Sequence, residues 1–174
     1  MSTGSFRKAP RRFAEDAALL VCAIALSYLE YLVPLTMLIP IPGAKAGLAH
    51  IAVNLAAVRY GMKDAAAVSL SRVLVAALLF GSVPSLVYSM TGALCALIVL
   101  ALFRHLGSLR MSWIGMSVLT AAAHNFGQLA AAVITMHEVS LLSYLPVLLL
   151  AAAVFGTVTG FLTNVISTRL ERVP

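Results

Sequence analysis

The sequence has 174 residues, of which 61% are hydrophobic and 10% are charged. Soluble domains carry roughly 25% charged and 45–50% apolar residues, and here the apolar excess extends along most of the chain. This composition excludes an ordinary soluble domain and indicates an integral membrane protein. The formal net charge of +6 does not indicate nucleic-acid binding, because the basic residues lie at the ends of apolar runs, where they are typical topology signals.

Six apolar runs, separated by Pro and Gly clusters or by charged residues, predict membrane-spanning helices. The predicted spans cover residues 13–33, 43–60, 65–80, 83–103, 113–135 and 145–167. We therefore predict an all-α integral membrane bundle, with a single six-helix transmembrane domain at residues 13–168. A basic cytoplasmic segment at residues 1–12 precedes it, and a cytoplasmic tail at residues 169–174 follows it.

The basic residues assign an orientation to these spans. Ten of the twelve Lys and Arg residues fall on one side: they precede the first span, lie at the end of the second span or in the second and fourth connections, or follow the last span. Lys45 lies alone on the opposite side, and Arg72 lies inside the third span. Because Lys and Arg concentrate in cytoplasmic loops, we predict cytoplasmic termini and a multi-pass protein of the cell (cytoplasmic) membrane, such as a bacterial inner membrane.

Polar and ionisable side chains in or beside the predicted spans concentrate in the outer half of the membrane. They are Glu30, Lys45, His50, Asn54, Arg72, Tyr88, His124, Asn125 and Gln128. His50 and Asn54 are four residues apart, as are His124 and Gln128, so each pair shares one helix face. Since intramembrane ionisable residues usually face the bundle interior or a watery cavity, we predict that these side chains line one substrate-binding recess.

Individual roles follow from charge and position. An arginine at the depth of Arg72 requires an anionic partner, either a ligand or the carboxylate of Glu30. Lys45 follows a Pro-Gly pair at a helix start, where unpaired amides favour an anion, so it is predicted to clamp a carboxylate or a phosphate. The loop at residues 34–43 is predicted to act as a lid over the recess.

A structural interpretation of the same side chains stays open. Asn, Gln and His also join neighbouring membrane helices, with an average contribution of about 0.6 kcal/mol. Glu30 and Arg72 would then form an ion pair without a ligand, and His124 would be a hydrogen-bonded core residue. Cys22 and Cys95 lie inside apolar runs and are interpreted as buried hydrophobic residues rather than as a disulfide or a metal site.

Five stretches carry a resemblance to a known family. They are SYLEYLVPL, IPGAKAGLAHIAVNLAAVRYG, SLSRVLVAALLFGSVPSLVYSMTGAL, AAAHNFGQLAAA and YLPVLLLAAAVFGTVTGFLTN. In this order they resemble the small membrane family called Gx transporters, also labelled heptaprenyl diphosphate synthase component I. That family is similar to the S components of energy-coupling factor (ECF) vitamin transporters.

The resemblance implies a six-helix protein that binds a small substrate in an outward-facing pocket. It also implies partners, because S components pair with a transmembrane coupling protein and two ATPases. S components often present small residues four apart on the first helix to the coupling protein. Ala14, Ala18 and Cys22 would fill this role here.

Two functions remain after these considerations. The first is a substrate-binding and translocation subunit for a small anionic or zwitterionic solute, embedded in the lipid bilayer, without a cofactor or a metal. The alternative is an accessory membrane subunit of heptaprenyl diphosphate synthase in isoprenoid or quinone synthesis.

Prenyl chain elongation needs aspartate clusters that hold magnesium, and the two aspartates, Asp16 and Asp64, are far apart in the sequence. Catalysis by the chain itself is therefore not predicted, and the absence of a GxxxxGK[ST] pattern assigns any ATP hydrolysis to partners.

Overall fold

The computed structural model describes residues 4–32, 47–105 and 112–170, with side chains from residue 13 to residue 169. All regular structure in these segments is helical, which confirms the predicted all-α class. The α-helices are α1 Gly4–Leu32, α2 His50–Arg59, α3 Met62–Phe80, α4 Val83–His105, α5 Trp113–Met136 and α6 Leu145–Leu170. A short 3₁₀ helix, Val139–Tyr144, leads into α6.

Three helical segments of the described chain are long and apolar enough to cross a membrane. They are α4, α5 and the segment Val139–Arg169, which comprises the 3₁₀ helix and nearly all of α6. This finding supports a membrane protein. The ten-residue helix α2 is about 15 Å long at 1.5 Å per residue, about half the thickness of a hydrocarbon core. The six-span topology and the cytoplasmic position of both termini therefore remain predictions.

The helix α2 is shorter than the predicted second span at residues 43–60. Gly47 has a φ of 79°, in the left-handed region that favours glycine, and a turn leads from it into the helix. His50 consequently occupies the first position of α2 rather than a position inside a longer helix. Lys45 and the predicted lid at residues 34–43 lie outside the described residues.

The helix α2 occupies the centre of the bundle. It contacts α1, α3, α5 and α6, and residues 50–57 are all buried. Its alanines and Val53 pack against Ala23, Val68 and Leu100 from three surrounding helices. A helix that is apolar on nearly all sides is stable only when it is enclosed, so the sequence of α2 suits its central position.

Glycines allow α4, α5 and α6 to approach each other backbone to backbone. A Cβ atom on Gly127 of α5 would lie 3.0 Å from the Cα atom of Gly92 in α4. A Cβ atom on Gly156 of α6 would lie 2.6 Å from the Cα atom of Val118 in α5, and one on Gly160 would be equally close to the α5 backbone. Close packing of small residues is a main source of helix association in membranes.

The two cysteines are free, and they differ in burial. Cys95 is partly buried, whereas Cys22 is exposed on the same outward face of α1 as Ala14 and Ala18. The prediction of a buried hydrophobic residue is therefore wrong for Cys22, which lines a surface pocket with Ala18 of α1 and with Leu55 and Arg59 of α2. Ala14, Ala18 and Cys22 are all exposed, and their role in partner binding remains a prediction.

Candidate functional site: a buried polar cluster between four helices

A cluster of polar side chains lies inside the bundle, where α1, α2, α3 and α5 meet. We define the polar cluster as Ser27, Glu30, His50, Arg72 and His124, each of which is at most 9% exposed. Burial of a charged group without compensating interactions is strongly unfavourable. The contacts of the two charged members, Glu30 and Arg72, therefore determine what the cluster can do.

The described contacts of Arg72 within the cluster are with Ser27 and Glu30. Its Nη1 atom donates a hydrogen bond to Ser27 Oγ at 3.2 Å, and the Glu30 carboxylate interacts electrostatically with the guanidinium. Glu30 Oε1 also accepts a hydrogen bond from the backbone N–H of Leu48, which ties α1 to the turn before α2. Within the described part of the chain, Arg72 Nε and Nη2 have no hydrogen-bond partner although both atoms are buried. Among the described residues, Nη1 is therefore anchored and the Nε–Nη2 edge is not.

Two histidine rings join α2 to α5 inside the cluster. The rings of His50 and His124 meet edge to face, with 4.6 Å between their centroids and an interplanar angle of 82°. His50 Nδ1 lies 3.1 Å from the backbone oxygen of Gly47. Because a carbonyl oxygen only accepts, this contact assigns the proton of the neutral ring to Nδ1 and leaves Nε2 as an acceptor.

A small cavity lies on the side of Asn54, one helical turn from His50. Its volume is about 10 Å³, which is close to the space that one water molecule needs. Its polar lining consists of His50, Asn54, Ser69 and Thr120. Asn54 Nδ2 donates to Ser117 Oγ at 3.3 Å, and Ser117 Oγ lies 2.7 Å from Thr159 Oγ1. Hydrogen bonds therefore connect α2 to α5 and α6 directly beside the cluster.

Two of the predicted site residues make contacts between helices outside the cluster. Asn125 Nδ2 donates a hydrogen bond of 3.0 Å to the backbone oxygen of Leu148 and so joins α5 to α6. The Tyr88 hydroxyl accepts a hydrogen bond of 3.0 Å from Thr135 Oγ1 and joins α4 to α5. Ligand-binding roles for Asn125 and Tyr88 remain predictions.

Gln128 lies one turn from His124 on the inner face of α5. It packs against Gly92 of α4, where an added Cβ atom would lie 2.8 Å from Gln128 Cγ and 3.0 Å from His124 Cε1. Gln128 is 5% exposed, and its Nε2 atom is buried without a hydrogen-bond partner among the described residues. Gln128 thus extends the cluster towards α4, as its spacing from His124 predicts.

Ser27 is a member of the cluster that the sequence analysis did not identify. It lies three residues before Glu30, so the two side chains share one face of α1. That spacing is the signal that would have indicated Ser27 as a partner for Arg72. Serine is so common in membrane helices that the spacing becomes informative only once Arg72 is known to be nearby.

No group of three or more His, Cys, Asp or Glu side chains that could hold a metal ion occurs in the described segments. The sequence matches the family described as "Heptaprenyl diphosphate synthase component I" over residues 19–166. The chain belongs to the heptaprenyl diphosphate synthase component I family. The family prediction is confirmed, and the matched region includes the whole polar cluster.

No curated protein sequence and no solved structure matches this chain. The similarity to the S components of ECF transporters therefore remains a prediction from the sequence motifs. The family description names a component of a synthase, which makes a protein partner plausible.

Proposed function

We propose that this chain is a membrane subunit that binds a small solute with an anionic group and delivers it across the membrane, as an ECF S component does. The observation that supports this function is the buried Nε–Nη2 edge of Arg72, which has no hydrogen-bond partner among the described residues. These two atoms carry nearly parallel N–H groups, which match the two oxygens of a carboxylate or phosphate group. A buried donor without a partner costs about 1–3 kcal/mol, and more when it is charged, so an anion would relieve an unfavourable state.

Other side chains would complete the site around this anion. His50 Nε2 is positioned as an acceptor and Gln128 Nε2 as a donor, and both atoms are buried without a partner among the described residues. Lys45 would add a second positive charge at the mouth, and residues 34–43 would close over the solute. Energy from ATP would come from a coupling protein and an ATPase pair that dock on the face of α1 formed by Ala14, Ala18 and Cys22.

A second function is supported by the family match over residues 19–166. In this alternative, the chain is an accessory subunit of heptaprenyl diphosphate synthase that holds a soluble catalytic partner at the membrane. Such a subunit requires no solute at Arg72. Affinity purification from native membranes separates the two functions, because the first recovers a coupling protein with two ATPases and the second recovers a soluble prenyl synthase.

Ligand-induced stabilisation of the purified chain tests the primary function. Vitamins and metabolites with anionic groups are added one at a time to the protein in detergent. The unfolding temperature should rise when the added compound is the solute. A ligand at 100 times its Kd contributes about 2.7 kcal/mol to the free energy of unfolding. The rise should disappear in Arg72→Ala, because the anion loses both N–H donors.

Arg59→Ala is the matched control for this experiment. Arg59 is exposed at the last residue of α2, at the opposite end of that helix from His50, and its substitution should leave the stabilisation intact. A compound that stabilises wild type and Arg72→Ala equally would contradict the assignment of the site. A panel in which no compound stabilises the protein, together with recovery of a prenyl synthase, would favour the second function.

A further inference from the structure

We infer that the small cavity beside Asn54 holds one ordered water molecule, which donates hydrogen bonds to Asn54 Oδ1 and His50 Nε2. The cavity lies between α2, α3, α4 and α5, and its lining residues all belong to the described segments. No solute takes part, so this water site is independent of the proposed function.

A chain of hydrogen bonds sets the orientation of the Asn54 amide. The Thr159 hydroxyl donates its one hydrogen to the backbone oxygen of Gly156 at 3.1 Å, so it accepts in its 2.7 Å contact with Ser117. The Ser117 hydrogen is thereby used, and Ser117 Oγ accepts from Asn54 Nδ2 at 3.3 Å. Asn54 Oδ1 is therefore the acceptor end of the amide, and it is buried with no hydrogen-bond partner among the described residues.

Two other polar groups that line the cavity are acceptors as well. His50 Nδ1 donates its hydrogen to the backbone oxygen of Gly47, so Nε2 accepts, and this atom is also buried without a partner in the described segments. The Thr120 hydroxyl donates to two backbone oxygens of its own helix, each at 3.0 Å, and only its lone pairs remain. The ligand of this cavity must therefore donate hydrogen bonds.

The size and the polarity of the cavity fit water. Its volume of about 10 Å³ is close to the space that one water molecule needs, and a buried water typically has two to four polar partners. A water molecule can donate to Asn54 Oδ1 and to His50 Nε2 at once. Its oxygen can accept from the Ser69 hydroxyl, which lines the same cavity.

A monovalent cation would meet the same lone pairs, but its charge would stay uncompensated. No acidic side chain lines the cavity, and the positive charge of Arg72 acts on His50 from the polar cluster. Because an unpaired charge is strongly unfavourable in a buried environment, a neutral donor is favoured over a cation.

The water connects the polar cluster to the hydrogen bonds that reach α6. It joins His50 to Asn54, and from there the chain continues through Ser117 to Thr159. Since Nε2 of a neutral imidazole has a single lone pair, a solute that donates to His50 would compete with this water. The Nε–Nη2 edge of Arg72 is not involved in the water site.

A structure of the purified full-length chain, at a resolution that shows ordered waters, tests the site directly. We expect one density peak in the cavity, about 2.5–3.2 Å from both Asn54 Oδ1 and His50 Nε2. A cavity without density, or a peak that contacts neither atom, would overturn the proposal.

The variant Ser69→Thr tests the same site in solution, because it adds a methyl group that is similar in size to a water molecule. If the methyl group displaces the water, Asn54 and His50 lose their donor, and the equilibrium constant of unfolding should rise about tenfold. Filling a dry cavity would instead stabilise the protein. The control is Ser71→Thr, the same change at a partly exposed position of α3 that does not line the cavity.

An unfolding constant for Ser69→Thr equal to or below that of Ser71→Thr would overturn the water site. If Ser69→Thr does not fold, the wild-type structure still decides the question. Exchange of sodium or potassium chloride for choline chloride at equal ionic strength separates water from a cation. We expect the same unfolding temperature in all three salts, and a saturable rise with sodium or potassium that Ser69→Thr abolishes would show a cation site instead.

Discussion

Replacing Gly156 by valine is expected to destabilise the folded bundle by about 3 kcal/mol or more, because the new side chain has no space. A Cβ atom at this position would already lie 2.6 Å from the Cα atom of Val118 and 3.1 Å from its backbone nitrogen. Backbone atoms cannot move aside as a flexible side chain can, so α5 and α6 would have to separate. Equilibrium unfolding of the purified protein in mixed detergent micelles measures the change in the free energy of unfolding.

The control for this prediction is Ala153→Val, three residues earlier in α6. Ala153 is exposed on the outward face, and valine there enlarges the side chain without a clash with α5. We expect this control to change the free energy of unfolding by no more than about 0.5 kcal/mol. Equal destabilisation by both valines would show that α5 and α6 are not in close contact at Gly156.

The variant Glu30→Gln is expected to destabilise the protein by about 3 kcal/mol, since it leaves the buried charge of Arg72 without its compensating carboxylate. The glutamine oxygen can still accept the hydrogen bond from the Leu48 N–H, so the effect reports the charge and not this contact. The double variant Glu30→Gln/Arg72→Met removes both charges. Its loss should be smaller than the sum of the two single losses by more than about 1 kcal/mol.

A double-mutant cycle in detergent-mediated unfolding measures this coupling energy. The cycle of Glu30→Gln with Arg59→Met is the control and should be additive within about 0.5 kcal/mol, because distant sites without shared partners do not couple. Additivity in the Glu30 and Arg72 cycle would mean that the two charges do not interact in the folded protein. The electrostatic interaction assigned to Glu30 and Arg72 would then have to be abandoned.

Much of the helical architecture could be predicted from the distribution of apolar residues. The observed α4 Val83–His105 and α5 Trp113–Met136 begin at the predicted residues 83 and 113 and end within two residues of the predictions. The start of α2 was missed for a physical reason. Gly47 has a left-handed backbone conformation, and the Leu48 N–H donates a hydrogen bond to Glu30. Both features arise from tertiary structure, so hydrophobic periodicity cannot predict them.

The neighbours of the candidate site residues could be predicted in part, whereas their role in binding stays a prediction. Four-residue spacing correctly placed Gln128 beside His124, and the cost of an isolated buried arginine correctly indicated Glu30 as the neighbour of Arg72. The sequence did not reveal which neighbour each face of α5 meets. Asn125 is adjacent to His124 in the sequence but points about 100° around the helix, towards the backbone of Leu148 in α6. Such directions depend on the order of helices around the bundle.

A structure of the protein with the stabilising solute bound, at a resolution that defines the Arg72 guanidinium, tests the central claim most directly. The claim predicts that two oxygens of the solute lie about 2.7–2.9 Å from Arg72 Nε and Nη2, with Nη1 still bonded to Ser27. A structure in which a carboxylate of this chain occupies that edge while the solute binds elsewhere would contradict the account.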